Sequence, residues 1–324
     1  MADRVVVAGA SGFMGTAIVT AFRAEGADVV TVGRSGAASW ADPTSVRRAV
    51  DGASLVIGLA GRSVNCRYGP ANREVILRSR LDTTRAVADA IAAADHPPAL
   101  WINSSTATIY RHAEDRPMTE STGELGEGFS VSVARAWEDA LFEQDLHGTR
   151  RVALRTAIVL GDGSVLPPLV RLARLGIGGA QLDGRWPATR ARLAAGTHHR
   201  RGARRGRQRF SWIHLEDVIG IIRFLRAHDE LSGIINAASP NPTDNAGFMR
   251  ALRAAVGAPV GIPLPRAALE LGAMLLRTET ELVLKSRWVV PERLTAAGFA
   301  FRFPTLEAAL EDILRPRSHP PATG

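Results

Sequence analysis

In 324 residues the chain has one cysteine, Cys66, one lysine, Lys285, and two tyrosines, Tyr68 and Tyr110. A single cysteine excludes an intramolecular disulfide, and nothing else points to an oxidising compartment. No apolar run approaches the ~20 residues of a membrane-spanning helix. A strand pattern already begins at Arg4, which leaves no space ahead of it for a secretory signal. A cytoplasmic protein without a membrane partner is therefore expected. With 46% hydrophobic residues the chain can fill one large α/β domain and a smaller appended lobe.

Acidic residues are missing from one stretch. Between Arg185 and Arg209 there are nine arginines and no Asp or Glu, which by itself accounts for a formal net charge of +8. The rest of the chain is close to neutral, so no general polyanion-binding face is expected and nucleic acid is an unlooked-for partner. Only Trp186 and Phe210 are aromatic there, too few for a base-stacking platform. The segment reads as a solvated loop or hairpin, with a lid over an acidic ligand as the alternative. Arginine in place of lysine almost everywhere reads as a compositional trait.

What is present begins with Val5-Val6-Val7-Ala8-Gly9-Ala10-Ser11-Gly12-Phe13-Met14-Gly15, an apolar strand that turns through three glycines into a helix. Gly9 permits the tight turn, Gly12 lets phosphate oxygens approach the backbone, and Gly15 lets the helix pack on the strand. The N–H groups around Ser11, Gly12, Phe13 and Met14 and the positive end of the helix dipole then face an anion, as in a dinucleotide pyrophosphate site. The second strand ends at Gly33-Arg34, where an NAD enzyme would place an acidic residue against the ribose 2′-hydroxyl. The planar fork of Arg34 suits a 2′-phosphate instead, which favours NADP(H); a solvated arginine is the bland reading.

Strand and helix patterns alternate: strands 4–8, 28–32, 54–59, 99–104 and 151–158, with helices from Phe13 and over 43–50, 72–94 and 131–146. That predicts a Rossmann-type doubly wound parallel sheet with a smaller C-terminal α/β substrate lobe. Residues 1–160 form the NADP-binding domain, joined by sheet contributions from about 210–240. Residues 161–314 form the second lobe, with the arginine-rich insertion 185–209, and 315–324 form a disordered tail. Leu59-Ala60-Gly61 and the Ser104-to-Tyr110 run end two strands at the sheet edge where ligands bind, and Thr156, within the 151–158 strand, is a further cofactor-binding candidate.

At these residues the sequence resembles the extended short-chain dehydrogenases/reductases, which include sugar-nucleotide epimerases and dehydratases. Gly9 to Gly15 is similar to their G-x-x-G-x-x-G, Ser104 to Tyr110 to their S-S-x-x-x-(V/I)-Y, and Phe210 to Val218 to their F-I-H-V-x-D-V. Ser79 to Arg85, Trp137-Glu138, Leu154 to Gly161, Ser211 to His214 and Ser286 to Leu310 more closely resemble an atypical, epimerase-like branch. That branch carries a C-terminal domain of unknown function, matched here by Leu294 to Phe303.

The resemblance implies an NADP(H)-binding oxidoreductase or epimerase acting on a small molecule, and a homodimer formed by the helices after the Leu59 and Ser104 strands. It also exposes a departure. The family's usual Tyr-x-x-x-Lys pair falls on Ser130 and Ala134, and the one lysine lies far away in the C-terminal region. The proton relay is then absent, and a catalytically silent NADP(H)-binding sensor or interaction protein is the rival reading. Thr106, at the position of the family's catalytic Ser/Thr, is the candidate to orient a substrate oxygen, with Tyr110 as a further catalytic candidate. Arg80 is a candidate to stabilise developing negative charge, or else forms a helix-surface ion pair.

Asn65-Cys66-Arg67-Tyr68 is expected over the crevice. Cys66 lies near Arg62 and Arg67, which would activate a thiol, although an idle cysteine is the simpler reading. His214, Glu216 and Asp217 look like an acid/base or metal cluster, yet the resemblance makes them a helix start that packs the second lobe. His198-His199 lacks ligands at metal spacing, so no metal site is expected.

Overall fold

The computed structural model describes residues 3–163, 165–199, 205–275 and 278–315. In chain order the elements are β1 (Arg4–Ala8), α1 (Phe13–Ala24), β2 (Asp28–Gly33), β3 (Ala38–Ser39), α2 (Pro43–Val50), β4 (Leu55–Gly58), α3 (Pro70–Ala92), β5 (Leu100–Thr106), a 3-10 turn (Ala107–Ile109), α4 (Phe129–Phe142), β6 (Arg150–Thr156), β7 (Ile158–Leu160), α5 (Leu166–Arg174) and α6 (Arg190–Ala194). There follow β8 (Arg209–Phe210), β9 (Trp212–His214), α7 (Leu215–Ala227), β10 (Gly233–Ala237), β11 (Thr243–Asp244), α8 (Asn245–Ala255), α9 (Arg266–Leu275), α10 (Glu281–Leu284), α11 (Glu292–Ala296) and α12 (Leu306–Leu314).

Seven strands form one sheet in the order β10-β6-β5-β4-β1-β2-β3, every pair parallel. Strands made of continuous apolar runs, such as Val5-Val6-Val7 and Leu55-Val56-Ile57, are buried on both faces, as a parallel sheet covered by helices requires. One face packs Val5, Val7, Leu55, Ile57 and Ile102 against α1 and α7 through Ile18, Phe22 and Ile222. The other packs Val6, Val56 and Trp101 against α2 and α3 through Val46, Val50, Val87 and Ile91. This is the expected Rossmann-type α/β fold.

The strand expected over 151–158 divides at Ala157. β5 turns away after Thr106 into the 3-10 turn, so the chain beyond Thr156 loses that neighbour. The Ala157 N–H still donates to Ala237 O, but Ile158 donates to Ser211 O, and β7 pairs with β9 instead. β3 was invisible to pattern because two residues carry no period. α3 begins at Pro70, where a proline at the first helical position needs no N–H partner.

A third hydrophobic cluster joins Leu160, Leu166, Trp212, Phe248, Leu252, Leu306 and Leu310. His214 caps α7 by accepting from the Glu216 N–H at 3.1 Å. The Asp217 carboxylate accepts the N–H groups of Arg302 and Phe303 at 2.7 and 3.1 Å. Those three residues thus start a helix and bind the C-terminal strap to it. Within the arginine-rich stretch, α6 is a short helix capped by Thr189. Arg200, Arg201 and Arg204, and the expected tail from 316 onward, lie outside the described residues.

Candidate functional site

Because every strand of the sheet runs the same way, its carboxyl ends share one edge. The register brings Ala8 level with Val32 and Gly58, Gly58 level with Asn103, and Thr106 level with Thr156. Residues 9–15, 33–34, 59–61, 104–106 and Thr156 therefore lie along one edge of the sheet, the edge where open parallel sheets take their ligands.

The three glycines of the first turn have different tasks. A Cβ on Gly9, at φ +84°, would stand 2.7 Å from Ala60 N, and one on Gly15 would stand 2.6 Å from Gly9 O. Both are packing glycines that hold the turn against the β4 loop and against itself. A Cβ on Gly12 would meet nothing closer than Gly9 O at 3.8 Å. Its free side opens to solvent, with Ser11 exposed beside it. α1 starts there with no side-chain cap and no acidic residue in its first turn, so its leading N–H groups remain available to an outside acceptor. These residues suit a phosphate-bearing dinucleotide. Phe13 packs over Gly161, where a Cβ would come within 2.7 Å of its ring. Met14 is half-buried behind it.

Arg34 is exposed at the end of β2 and makes no ion pair among the described residues. Leu59 donates its N–H to Ala8 O, which carries the Leu59-Ala60-Gly61 backbone across the edge. Arg80 closes this loop from α3: its guanidinium donates to Arg62 O and Ile76 O and lies 4.9 Å from the Trp137 ring centroid. Burial pulls its pKa down to about 10, which the nearby Tyr68 phenol partly offsets. Among the described residues Arg80 thus makes no surface ion pair. It stands between Gly61 and Tyr68.

Thr106 Oγ1 accepts the Thr108 N–H at 3.1 Å and leaves its own proton to donate. Ser104 is buried at the strand end, and Thr156 Oγ1 donates to Leu154 O. Tyr110 points elsewhere: its hydroxyl donates to Asn236 Oδ1 at 2.9 Å inside the sheet, beneath the Arg155 guanidinium. Behind this edge, Arg155 holds Glu138 with two hydrogen bonds, at 2.8 and 2.6 Å. That pair explains the Trp137-Glu138 motif as structure. Cys66 is half-buried, and Arg67 reaches Glu279 and Thr278 O instead of the thiol.

The sequence did not reveal what gathers around Thr108 and around Ser130. Lys285 donates from Nζ to Thr108 O at 2.7 Å, and Arg287 donates from Nε to Thr108 Oγ1 at 3.1 Å. Ser130, in the first turn of α4, donates to Glu281 at 3.1 Å. Tyr68 stands next to Ser130, with Glu279 accepting its backbone N–H at 3.0 Å. Distance along the chain had seemed to remove Lys285 from this region, and the fold corrects that. No periodic signal could have brought it here, because the contact spans 177 positions and depends on how the C-terminal region docks.

Residues 5–238 match the model of the NAD dependent epimerase/dehydratase family, and residues 264–313 match a domain of unknown function. The chain belongs to the NAD-dependent epimerase/dehydratase family. Among its relatives, an epimerase family protein, SDR39U1, of Bos taurus is 31% identical, the match covering 96% of this chain and 99% of that one. The epimerase family protein YfhF of Bacillus subtilis is 27% identical over 97% of this chain and 98% of its own. A solved structure, that of human epimerase family protein SDR39U1 (isoform 2) with NADPH, superposes with a TM-score of 0.81 at 27% identity, covering 96% of this chain and 99% of the other. Among the described residues no helix is long and apolar enough to cross a membrane.

Proposed function

We propose that this member of the epimerase/dehydratase family binds NADP(H) in the crevice and acts as an oxidoreductase or epimerase on a small carbonyl or hydroxyl compound. The observation that carries the reading is the open backbone at Gly12, before an uncapped helix start, on the edge where the strand ends gather. The relative solved with NADPH supports the choice of cofactor.

In this reading Gly9, Ser11, Gly12, Phe13, Met14 and Gly15 hold the pyrophosphate, and Arg34 holds the 2′-phosphate through its guanidinium fork. Leu59, Ala60 and Gly61 pass beneath the adenosine side, while Ser104 and Thr156 border the nicotinamide side. The bound cofactor supplies or accepts a hydride. Thr106 donates a hydrogen bond to the substrate oxygen, and Arg80, fixed on the Gly61 loop, supplies positive potential to that end of the crevice.

Fluorescence titration with NADPH and NADH tests this, alongside Arg34→Asp. NADPH should bind more tightly than NADH, and Arg34→Asp should lose at least tenfold of that preference. Equal affinity of the unaltered protein for both cofactors would remove Arg34 from the reading, and binding of neither would end it. NADPH oxidation, screened with aldehydes, ketones and sugar nucleotides, separates an enzyme from a silent sensor.

A further inference from the structure

α9 turns its charges inward and its leucines outward. Its two charged residues, Arg266 and Glu270, lie on the buried face with Ala273, at the i, i+4, i+7 spacing of one helical stripe. Arg266 donates to Glu270 Oε1 at 2.8 and 2.6 Å and to Asp183 Oδ1 at 3.0 Å, and the Thr280 hydroxyl donates to the same Glu270 oxygen at 2.8 Å. Leu271, Met274 and Leu275, at i, i+3 and i+4, are exposed, Leu275 to 85%. The ion pairs fix the rotation of the helix, so its leucines cannot turn inward without leaving buried charges unpaired.

The chain leading into α9 continues this apolar surface. Val260 and Ile262 are exposed, the Ile262 N–H donates to Gly176 O at 2.8 Å, and Leu175, exposed to 74%, stands immediately before that glycine. Among the described residues, six of the ten large apolar side chains left exposed lie on α9 or on these two turns, so the exposure is concentrated in one lobe.

Charge on this lobe has one sign. Across 163–215 and 245–278 the only acidic residues are Asp183 and Glu270, and both are buried in their pairs with Arg266. Arg171 and Arg174, in the last turn of α5 just before Leu175, are exposed. Arg253 donates to Gly178 O at 2.8 Å. The exposed Arg205 and Arg207 flank Gly206, whose carbonyl accepts the Ala246 N–H at 3.0 Å and where a Cβ would come within 2.8 Å of the Ala180 methyl. Arginines therefore border the 175–182 strip.

We propose that α9 and the turns at 175 and 260–262 form a docking surface for an anionic lipid bilayer, the leucines entering the headgroup boundary and the arginines pairing with headgroup oxygens. A two-fold contact with a second copy would set one arginine border against the other. A protein partner would need a pocket for each protruding aliphatic side chain, whereas a fluid acyl layer needs none. No spanning helix is required, because an interfacial helix lies in the plane of the membrane.

The experiment is flotation of the full chain with vesicles of phosphatidylcholine alone and of phosphatidylcholine with about 30% phosphatidylserine. The protein should rise with the anionic vesicles and stay behind with the neutral ones. Raising the salt from about 0.1 M to about 1 M shortens the screening length from about 10 Å to about 3 Å and should release most of the bound protein. Leu271→Gln combined with Leu275→Gln should weaken binding to the anionic vesicles about tenfold or more, and Arg171→Gln combined with Arg174→Gln about tenfold. All four side chains are exposed, so the melting temperature of each double variant should be unchanged.

No flotation with either vesicle, equal flotation with both, or unchanged binding in the leucine variant would overturn the proposal. A concentration-dependent dimer, seen by sedimentation equilibrium without lipid and abolished in the leucine variant, would also overturn it and assign the face to a second copy.

Discussion

Arg155 on β6 and Glu138 on α4 form a two-point ion pair inside the protein, at 2.8 and 2.6 Å, with Ser105 donating to the same carboxylate at 2.5 Å. The three side chains fasten a helix to two neighbouring strands just behind the crevice. Both charged side chains are almost wholly buried, so removing one leaves the other charged, desolvated and unpaired. Glu138→Ala should lose about 3–5 kcal/mol of stability, read from urea denaturation. A loss under 1 kcal/mol would mean that water reaches the pair.

The glycine turn makes a two-part prediction. Gly12→Ala should fold with its melting temperature nearly unchanged, because its Cβ has room, yet bind NADPH at least tenfold more weakly. Gly9→Ala should lose stability itself, since its Cβ strikes the Ala60 backbone at a positive φ. Thermal melts paired with NADPH titrations check both; equal NADPH affinity in Gly12→Ala would move the phosphates elsewhere.

Tyr110→Phe separates a structural tyrosine from a catalytic one. The lost hydrogen bond leaves Asn236 Oδ1 short of a donor and should cost about 1–2 kcal/mol. NADPH affinity and any turnover should persist. A hundredfold loss of turnover with the fold intact would return Tyr110 to the chemistry.

His214 should make the protein acid-sensitive. Burial, aided by Arg302 and opposed by Asp312, lowers its pKa to about 4 from an ordinary 6.5. The unfolded chain therefore binds a proton between those values that the folded chain refuses. The contribution is present above pH 6.5 and is lost as pH falls towards 4, reaching about 3 kcal/mol. His214→Asn keeps a capping side chain for α7 and should flatten this part of the stability profile between pH 7 and 4.5. An equal acid loss in the variant would assign it to other groups.

Elements with strong local signals could be read directly. The Val5-to-Gly15 turn, α2 behind Asp42 and Pro43, and β10 all match their sequence patterns because neighbouring residues alone decide them. The positions of Thr106 and of the glycine turn at the sheet edge were legible for the same reason. The environment of Tyr68 was not, since Glu279, Glu281 and Arg287 reach it only after the C-terminal region has packed. Lone charged residues there carry no period and no motif. The division of β6 from β7 was hidden likewise, because it depends on β9 offering a new partner.

Asp217 anchors the Arg302–Phe303 backbone, and Lys285, 7% exposed, is buried where the same C-terminal region docks on Thr108. Apart from its α-amine, the folded chain therefore presents almost no amine to a reagent. A slow acylating probe would mark position 285 only in molecules whose C-terminal region had come away. This lysine is a built-in clock for that opening, countable by mass spectrometry without adding a label site.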